Sequence, residues 1–281
     1  MITASEIFCL NEQGKRKNNE DSISPQKGFA TSRDRVFIVC DGVGGEHKGE
    51  VASEIVSSTV HQFLQKQKLI KGKERELIQK AVHLANQKLA EYASKYPSAK
   101  RMSTTFALVL LSEGSVLAAW CGDTRIHHIR DGKVLWKSKD HSLVGELVRA
   151  GELTEEEAMA HPKKNVITRS LNALNYNNTV DYFEIKNYKS GDYLLLCTDG
   201  LLEQINEDRI FSILNAYGEK DKAKGFLQYC HGRTRDNFSM YLVRINEQQP
   251  VYRVPVSRIV FLLIIVLVCL FCMTFIYLKN R

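Results

Sequence analysis

The chain has 281 residues, of which 25% are charged and 44% hydrophobic, and these are ordinary proportions for a globular protein. The net charge of +7 is mildly basic, but no stripe of basic residues alternates with aromatic ones, so nucleic-acid binding is not expected. Seven cysteines occur without a Cys-x-x-Cys pair, which favours a reduced, cytosolic compartment over a disulfide framework. No signal peptide is visible at the start of the chain.

Apolar runs rich in β-branched and aromatic residues, with turn signals at their ends, predict a series of strands. They are 6–10, 35–40, 104–111, 115–120, 125–130, 133–137, 180–186, 193–197 and 239–245. Apolar residues at helical spacing predict helices at 49–67, 74–96, 143–150, 154–160, 208–216 and 220–231. Strands joined as hairpins, with helices inserted in blocks, indicate an α+β fold with antiparallel sheets rather than a doubly wound sheet.

Residues 66–73 between the two long predicted helices contain four lysines. This pattern is typical of a solvated loop between helices. Contact of the loop with anionic lipid or with an acidic partner is the alternative interpretation.

Residues 259–278 form an apolar run without charge, proline or glycine. As a helix, 20 residues span about 30 Å, which is the thickness of the hydrocarbon core of a bilayer. A buried core helix would need apolar partners on every side, which a domain of this size rarely offers. We therefore predict a C-terminal membrane anchor at 259–278, with a catalytic domain at 1–246, a linker at 247–258 and a short tail at 279–281. The reduced cysteines place the large domain in the cytosol.

Four aspartates lie where an apolar run meets a turn: Asp41, Asp123, Asp199 and Asp236. A single Asp at such a point can be a turn residue. Because a buried carboxylate without a partner costs several kcal/mol, on the order of 3–5, four of them suggest one shared partner. Carboxylates without accompanying His or Cys ligands favour a hard divalent cation, Mg²⁺ or Mn²⁺.

The glycine-rich segment 41–50 joins a predicted strand to a predicted helix, as phosphate-binding loops do. Its spacing fits neither a Walker loop nor a dinucleotide fingerprint. Glycine here instead allows close approach to an ion, so that the carbonyl of Gly42 becomes a candidate ligand. Upstream, Arg16 offers a planar fork for phosphate, and Glu20 and Asp21 are able to hold metal-bound water. Taken alone, that upstream segment is an ordinary charged loop.

In this order the pieces resemble the metal-dependent Ser/Thr protein phosphatases of type 2C, and most closely their bacterial-type branch. The resemblance covers about residues 5–246. Its motifs are Arg16-x-x-Asn19-Glu20-Asp21, Asp41-Gly42-x-Gly44-Gly45, Gly49-Glu50-x-Ala52-Ser53, Ser103-Thr104-Thr105, Gly122-Asp123-Thr124-Arg125, Thr198-Asp199-Gly200 and Asp236-Asn237. Residues 139–142 and 151–162 are similar to the family's flap segment.

The resemblance implies a four-layer α-β-β-α sandwich with two central antiparallel sheets and two core metal ions at one end. It also implies a role for each site residue. Asp41 would bridge the two ions, the Gly42 carbonyl would bind one of them, and Asp199 and Asp236 would bind the other. Glu20 would bind a metal through water, Asp21 would contact the ligands rather than a metal, Asp123 would join Asp199 at a third metal, and Arg16 would bind the substrate phosphate.

The chemistry implied by two such ions is direct hydrolysis. A bridging water with a lowered pKa supplies hydroxide near neutral pH and attacks phosphorus, while Arg16 and the ions meet the phosphoryl charge. Val43 stands where the eukaryotic branch can place a proton-donating His. The leaving-group proton then comes from metal-bound water or another side chain. His47, His141 and His161 are the nearest candidates, and an ordinary surface or capping role is the alternative for each.

The sequence thus predicts a membrane-tethered, monomeric phosphatase for phosphoserine and phosphothreonine, with Arg16, Asp41 and Asp199 as its main catalytic residues. Phosphorylated proteins, and a cognate Ser/Thr kinase, are the expected partners. Two other functions stay open: a catalytically inactive relative that binds phosphoproteins at the membrane, and a nucleotide-binding membrane module, which the glycine spacing disfavours.

Overall fold

A computed structural model describes residues 2–43, 48–174, 179–216 and 221–247 of the chain. Its strands are β1 (Ile2–Glu12), β2 (Asp21–Ser24), β3 (Val36–Val43), β4 (Ser103–Thr104), β5 (Phe106–Leu111), β6 (Val116–Cys121), β7 (Arg125–Arg130), β8 (Lys133–Lys137), β9 (Leu171–Asn172), β10 (Asp181–Ile185), β11 (Tyr193–Cys197) and β12 (Phe238–Glu247). Its helices are α1 (Gly49–Gln65), α2 (Glu74–Lys95), α3 (Leu143–Ala150), α4 (Glu155–Ala160), α5 (Asp199–Leu202), α6 (Glu207–Ala216) and α7 (Lys222–Cys230).

The described strands form two antiparallel sheets, which confirms the predicted α+β class. The first sheet has the order β1-β12-β11-β7-β8, and the second has the order β10-β6-β5-β3-β4-β9 with β2 also paired to β3. The predicted hairpins are present, because β5 pairs with β6 and β7 with β8. Sequence periodicity located most elements to within two residues, but it did not predict the short strands β2 and β9 or the one-turn helix α5.

Alternating side chains of the strands separate the core into layers. Phe37 and Val39 of β3 pack between the two sheets with Tyr241 and Val243 of β12. Ile38, the next residue of β3, points the other way and packs with α1 and α2. Helices α5, α6 and α7 cover the outer face of the first sheet. The described residues are therefore layered helix, sheet, sheet, helix.

The strands give the domain two distinct ends. Asp41 at one end of β3, Asp199 after β11 and Asp236 before β12 lie at the end that we call the site end. The opposite end, the distal end, consists of the loops 25–35, 66–73, 112–115, 131–132 and 186–192 together with the end of β12. β12 has ten residues and runs from the site end to the distal end, a length of about 30 Å.

The predicted linker 247–258 (apart from its first residue) and the predicted span 259–278 lie outside the described residues, as does His47. Within the described ranges, the helices are all too short or too polar to cross a bilayer.

Candidate active site

Loops from both sheets meet at the site end. Asp41 lies near the end of β3, and its direct antiparallel partner is Asp21, the first residue of β2. Asp199 is the first residue of α5, two residues after the end of β11, and Asp236 lies two residues before the start of β12. Asp123 lies in the turn between β6 and β7. The fold thus brings all four strand-end aspartates predicted from the sequence to one end of the sandwich.

The backbones of these loops lie so close together at Gly42 and Gly200 that neither position has room for a side chain. A Cβ atom on Gly42 would lie 2.3 Å from the carbonyl oxygen of Gly49 and 2.6 Å from that of Glu20. On Gly200 it would lie 1.9 Å from the carbonyl oxygen of Asn237. The residue after Asp41 and the residue after Asp199 are therefore glycines because a neighbouring site loop occupies the space of a side chain.

Hydroxyl groups fix the backbone around Asp41. The Asp41 amide donates to Thr105 Oγ1 at 2.9 Å, and Thr104 Oγ1 donates to the Asp41 carbonyl at 2.8 Å. Thr105 Oγ1 also lies 2.5 Å from Thr124 Oγ1, next to Asp123. These threonines belong to motifs in the sequence, but which aspartate each supports depends on contacts between distant segments.

Asn237 connects the loop of Asp236 to the segment that contains Glu20. Its Oδ1 accepts from the Glu20 amide at 2.9 Å, and its Nδ2 donates to the carbonyls of Gln13 and Asn18 at 2.7 and 2.8 Å. The sequence analysis assigned this residue no role. Its membership in the motif Asp236-Asn237 was the signal in the sequence.

Burial and mutual repulsion dominate the electrostatics of the cluster. Burial, together with the neighbouring Asp199 and Asp236 carboxylates, raises the pKa of Asp21 to about 7, against a hydrogen bond from Thr198. Burial also raises the pKa of Asp123 to about 7, and it raises that of Asp41 well above its usual range, with the other aspartates adding to both effects. The cluster therefore favours protons or cations between its carboxylates.

The pKa of Asp199 is raised for the same reasons. Burial raises its pKa first, and the charges of Asp236 and Glu203 raise it further. Asp41 and Asp199, which come from different sheets, are therefore close enough for each charge to act on the other.

Arg16 lies at the mouth of the cluster. Its side chain is 60% exposed, and its Nη2 donates to Asp236 Oδ2 at 2.5 Å. This hydrogen bond raises the pKa of the guanidinium further above its already high value. The sequence predicted Arg16 as a phosphate ligand and Asp236 as a metal ligand, and the structure pairs the two side chains with each other.

The donor set can be tested for its fit to a metal ion. All the candidate ligands are oxygens, and the raised pKa values show that the carboxylates lack enough positive charge around them, so a hard divalent cation fits by chemistry and charge. Among the described residues, no three His, Cys, Asp or Glu side chains already surround a single point. The fit thus rests on the chemistry of the donors, not on a closed ligand cage.

The turn that contains Asp123 is held by His141. His141 Nδ1 accepts from the Gly122 amide at 3.0 Å, and the His141 amide donates to the Gly122 carbonyl at 2.9 Å. His141 Nε2 lies 3.2 Å from Asp181 Oδ2, and the ring stacks on Trp120. Of the three histidines considered as proton donors, this one is buried with both ring nitrogens in contact with protein, so it supports the site structurally.

His161, the remaining described candidate, ends α4 and its Nδ1 accepts from the Lys163 amide at 3.1 Å. This is the ordinary capping role that was the alternative for it.

A bidentate pair between Arg125 and Asp140, at 2.6 to 3.1 Å, joins the Asp123 turn to the start of the predicted flap. This pair was not predicted from the sequence.

Residues 13–228 match the family described as Protein phosphatase 2C, and this range includes every predicted site residue except Asp236. The serine/threonine phosphatase stp of Listeria innocua is 31% identical over 240 residues, which is 83% of this chain and 93% of the relative. The solved structure of the serine/threonine phosphatase Stp1 from Staphylococcus aureus has a TM-score of 0.76 at 29% identity and covers 86% of this chain and 95% of that one. The catalytic domain of the serine threonine protein phosphatase PstP, solved in complex with two manganese ions, has a TM-score of 0.73 at 25% identity and covers 88% of this chain and 100% of that one.

Proposed function

Because the chain belongs to the protein phosphatase 2C family and is a protein serine/threonine phosphatase, we propose that it acts through divalent cations held by its aspartate cluster, at the surface of a membrane. The observation that carries the metal assignment is the group of buried carboxylates with raised pKa values around Asp41. Such a group is stabilised by cations and has no evident structural purpose without them. The two manganese ions of the PstP catalytic domain support the same assignment.

Each site residue has a proposed role. Asp41, the Gly42 carbonyl, Asp199 and Asp236 would hold two Mg²⁺ or Mn²⁺ ions, with Glu20 acting through water, Asp21 from behind the ligands and Asp123 at a third ion. When bound, the ions would lower the pKa of a water molecule so that hydroxide is available near neutral pH.

Arg16 is the proposed substrate-binding residue. It is exposed at the mouth of the cluster and presents a planar fork that suits phosphate oxygens. A phosphate dianion would compete with Asp236 for this guanidinium. Binding of substrate and release of Asp236 toward its metal-binding role would then be coupled, since one side chain takes part in both.

The proposed substrates are proteins phosphorylated on serine or threonine, and a cognate Ser/Thr kinase would supply them. All proposed ligands come from a single chain, which supports action as a monomer. The uncharged run at 259–278 supports a single membrane span with the catalytic domain on the cytosolic side.

The test of this function is phosphate release from a phosphothreonine peptide with Mn²⁺ present. We expect Asp199→Asn and Asp41→Asn to lose about 10³-fold or more in kcat, because each removes a carboxylate from the proposed metal site. Glu156→Asn, on the exposed side of α4, is the control. Turnover by the wild type separates an active phosphatase from an inactive binding module, which would hold the peptide without hydrolysing it. Mn²⁺ binding, followed by electron paramagnetic resonance, shows whether each variant has lost its metal. Full activity in Asp199→Asn would overturn the metal assignment.

A further inference from the structure

The distal end of the domain is strongly basic. The loops 25–35, 66–73, 112–115, 131–132 and 186–192 contain nine Lys or Arg residues and four Asp or Glu residues. The site end has the opposite character, because the aspartate cluster lies there. Charge is therefore separated along the strands, over a distance of about 30 Å.

The lysines of loop 66–73 are available to a partner. Lys66, Lys68, Lys71 and Lys73 are exposed, and none forms an ion pair with a described residue. Two of the acidic residues of these loops are engaged with neighbouring groups, while Glu113 and Asp131 are exposed. Asp34 accepts from the Thr31 amide at 2.6 Å, and Asp192 is paired with Arg130 and His128.

Two large apolar side chains project from the same end. Phe29, in loop 25–35, is 74% exposed, and Ile70, between Lys68 and Lys71, is 50% exposed. Exposed apolar side chains are common when they are scattered singly. These two lie on neighbouring basic loops at one end of the domain, so together they form an amphipathic surface.

Clefts connect the two loops into one surface. A cleft of about 360 Å³ is lined by Phe29, Asp34, His61 and Gln65. A second cleft, of about 400 Å³, shares the last three of these residues and continues to Leu69, the neighbour of Ile70. The surface from Phe29 to loop 66–73 is thus continuous across the end of α1.

The chain leaves the described domain at this end. Glu247, the last residue of β12, is the antiparallel partner of Ile2, and the amide of Ile245 donates to the carbonyl of Asp192 in the distal loop 186–192. The next residues are the linker that we predict to lead to a bilayer. A short linker brings whatever surface surrounds Glu247 close to the lipid headgroups, whereas the aspartate cluster lies at the other end.

We propose that the distal end is a docking surface for anionic lipid. Lys66, Lys68, Lys71 and Lys73 would lie among the headgroups, and Phe29 and Ile70 would enter the boundary between headgroups and acyl chains. The active site would then face away from the bilayer, open to protein substrates. This inference rests on the proposed membrane tether for its location, while the surface itself is built from described residues.

Lipid fits this surface better than an acidic protein does. The apolar contribution consists of two isolated side chains at loop tips, and the clefts between them are lined largely by polar groups. A protein partner needs a continuous, complementary patch at its core. A fluid lipid surface needs only protruding apolar residues surrounded by flexible lysines.

The test uses the full chain reconstituted in nanodiscs of phosphatidylcholine, with or without phosphatidylglycerol. Amide hydrogen exchange is measured for 25–35 and 66–73, with the flap residues 151–161 as the internal reference. We expect exchange in both distal loops to slow by about tenfold or more in anionic discs, since each lysine near the surface adds to binding. Lys68→Glu with Lys71→Glu, and separately Phe29→Ser with Ile70→Ser, should abolish the slowing.

Matched variants control for charge and hydrophobicity. Lys88→Glu with Lys95→Glu makes the same charge change on exposed positions of α2, and Leu135→Ser removes an apolar side chain that is 48% exposed on β8. Both should leave the slowing intact, and all variants should keep activity on a soluble phosphopeptide. Equal exchange in the two kinds of disc, an equal effect of the α2 pair, or slowing by an acidic polypeptide but not by anionic lipid would each overturn the proposal.

Resistance to alkaline carbonate extraction reports on the tether separately. If the full chain is extracted, the tether proposal fails, and flotation with anionic vesicles then tests the surface alone. Flotation that disappears in Lys68→Glu with Lys71→Glu would still support the docking surface, and absence of flotation would overturn it.

Discussion

Asp21 and Asp41 lie directly opposite each other in the antiparallel pair of β2 and β3, at the point where the two sheets open into the aspartate cluster. Like charges at directly opposed positions destabilise a sheet, and here burial raises the pKa of both carboxyl groups. Thr198 Oγ1 donates to Asp21 Oδ2 at 3.0 Å and offsets only part of this cost. The pair is therefore stabilised by bound protons at low pH or by cations.

Replacing Asp21 with Asn should change how stability depends on pH. The pKa of Asp21 is about 7 in the folded protein and near 4 in the unfolded chain, so between these values the folded state holds a proton that the unfolded state has lost. The contribution of Asp21 to wild-type stability then falls as pH rises from about 4 to about 7. With divalent cations chelated, Asp21→Asn should gain stability relative to wild type over this range, by at most about 1.4 kcal/mol per pH unit.

Urea unfolding at several pH values measures this difference. Asp208→Asn, at an exposed position of α6, is the control, and its stability relative to wild type should not change with pH in this way. Mn²⁺ should reduce the advantage of the variant, because bound cations stabilise the wild-type carboxylates more. A difference that does not depend on pH would contradict the raised pKa of Asp21.

Replacing Gly200 with Ala should disrupt the site through the backbone alone. The added Cβ would lie 1.9 Å from the carbonyl oxygen of Asn237, so the loops of Asp199 and Asp236 have to move apart. We expect a loss of at least about 2 kcal/mol in the free energy of unfolding, because overpacking against backbone cannot relax cheaply. Mn²⁺ affinity should fall as well. Gly232→Ala is the control, since its Cβ meets nothing within 4 Å and only its positive φ of 71° adds strain.

Replacing Arg16 with Ala should separate substrate binding from metal binding. The guanidinium pairs with Asp236 and is the proposed phosphate ligand. Its removal should raise KM for a phosphopeptide by about tenfold, as expected for one lost charge-assisted contact. Mn²⁺ affinity should stay the same or increase, because Asp236 loses its competing partner. Isothermal titration with Mn²⁺ and steady-state kinetics provide the two measurements, and Lys15→Ala is the neighbouring exposed control. Weaker Mn²⁺ binding in Arg16→Ala would contradict this assignment of Asp236.

Replacing His141 should act on the turn of Asp123. Its Nδ1 accepts from Gly122, so the neutral ring carries its proton on Nε2 and donates to Asp181, and burial lowers its pKa. His141→Ala leaves a buried amide unpaired and should raise the Mn²⁺ concentration needed for half-maximal activity by several-fold, on the order of 1–2 kcal/mol. His141→Asn can keep the acceptor and should be milder. His83→Ala, at an exposed position of α2, should have no effect. An equal Mn²⁺ requirement in His141→Ala and His141→Asn would contradict the role of the Gly122 contact.

These contacts show how far sequence reasoning extends. The boundaries of β7, β8, β11 and α3 were predicted to the residue, because apolar periodicity and local turn signals determine them. Strand β2 was missed because it has only four residues with one apolar side chain, Ile23, and its pairing with β3 depends on tertiary contacts. The same limit applies to the site: the ordered motifs predict Asp41 and Asp199 as site residues, whereas the support from His141 depends on a contact between residues 19 positions apart in sequence.

Removal of residues 259–281 should release the enzyme from membranes. The full chain should stay with the bilayer after alkaline carbonate treatment, and the chain 1–258 should be soluble with the same kcat/KM on a soluble phosphopeptide, because all proposed site residues precede the deletion. Leu267→Arg with Val268→Arg is a full-length control, since each charge at the centre of a span costs about 3 kcal/mol. If the truncated chain still resists carbonate, then the apolar run at 259–278 is not the anchor.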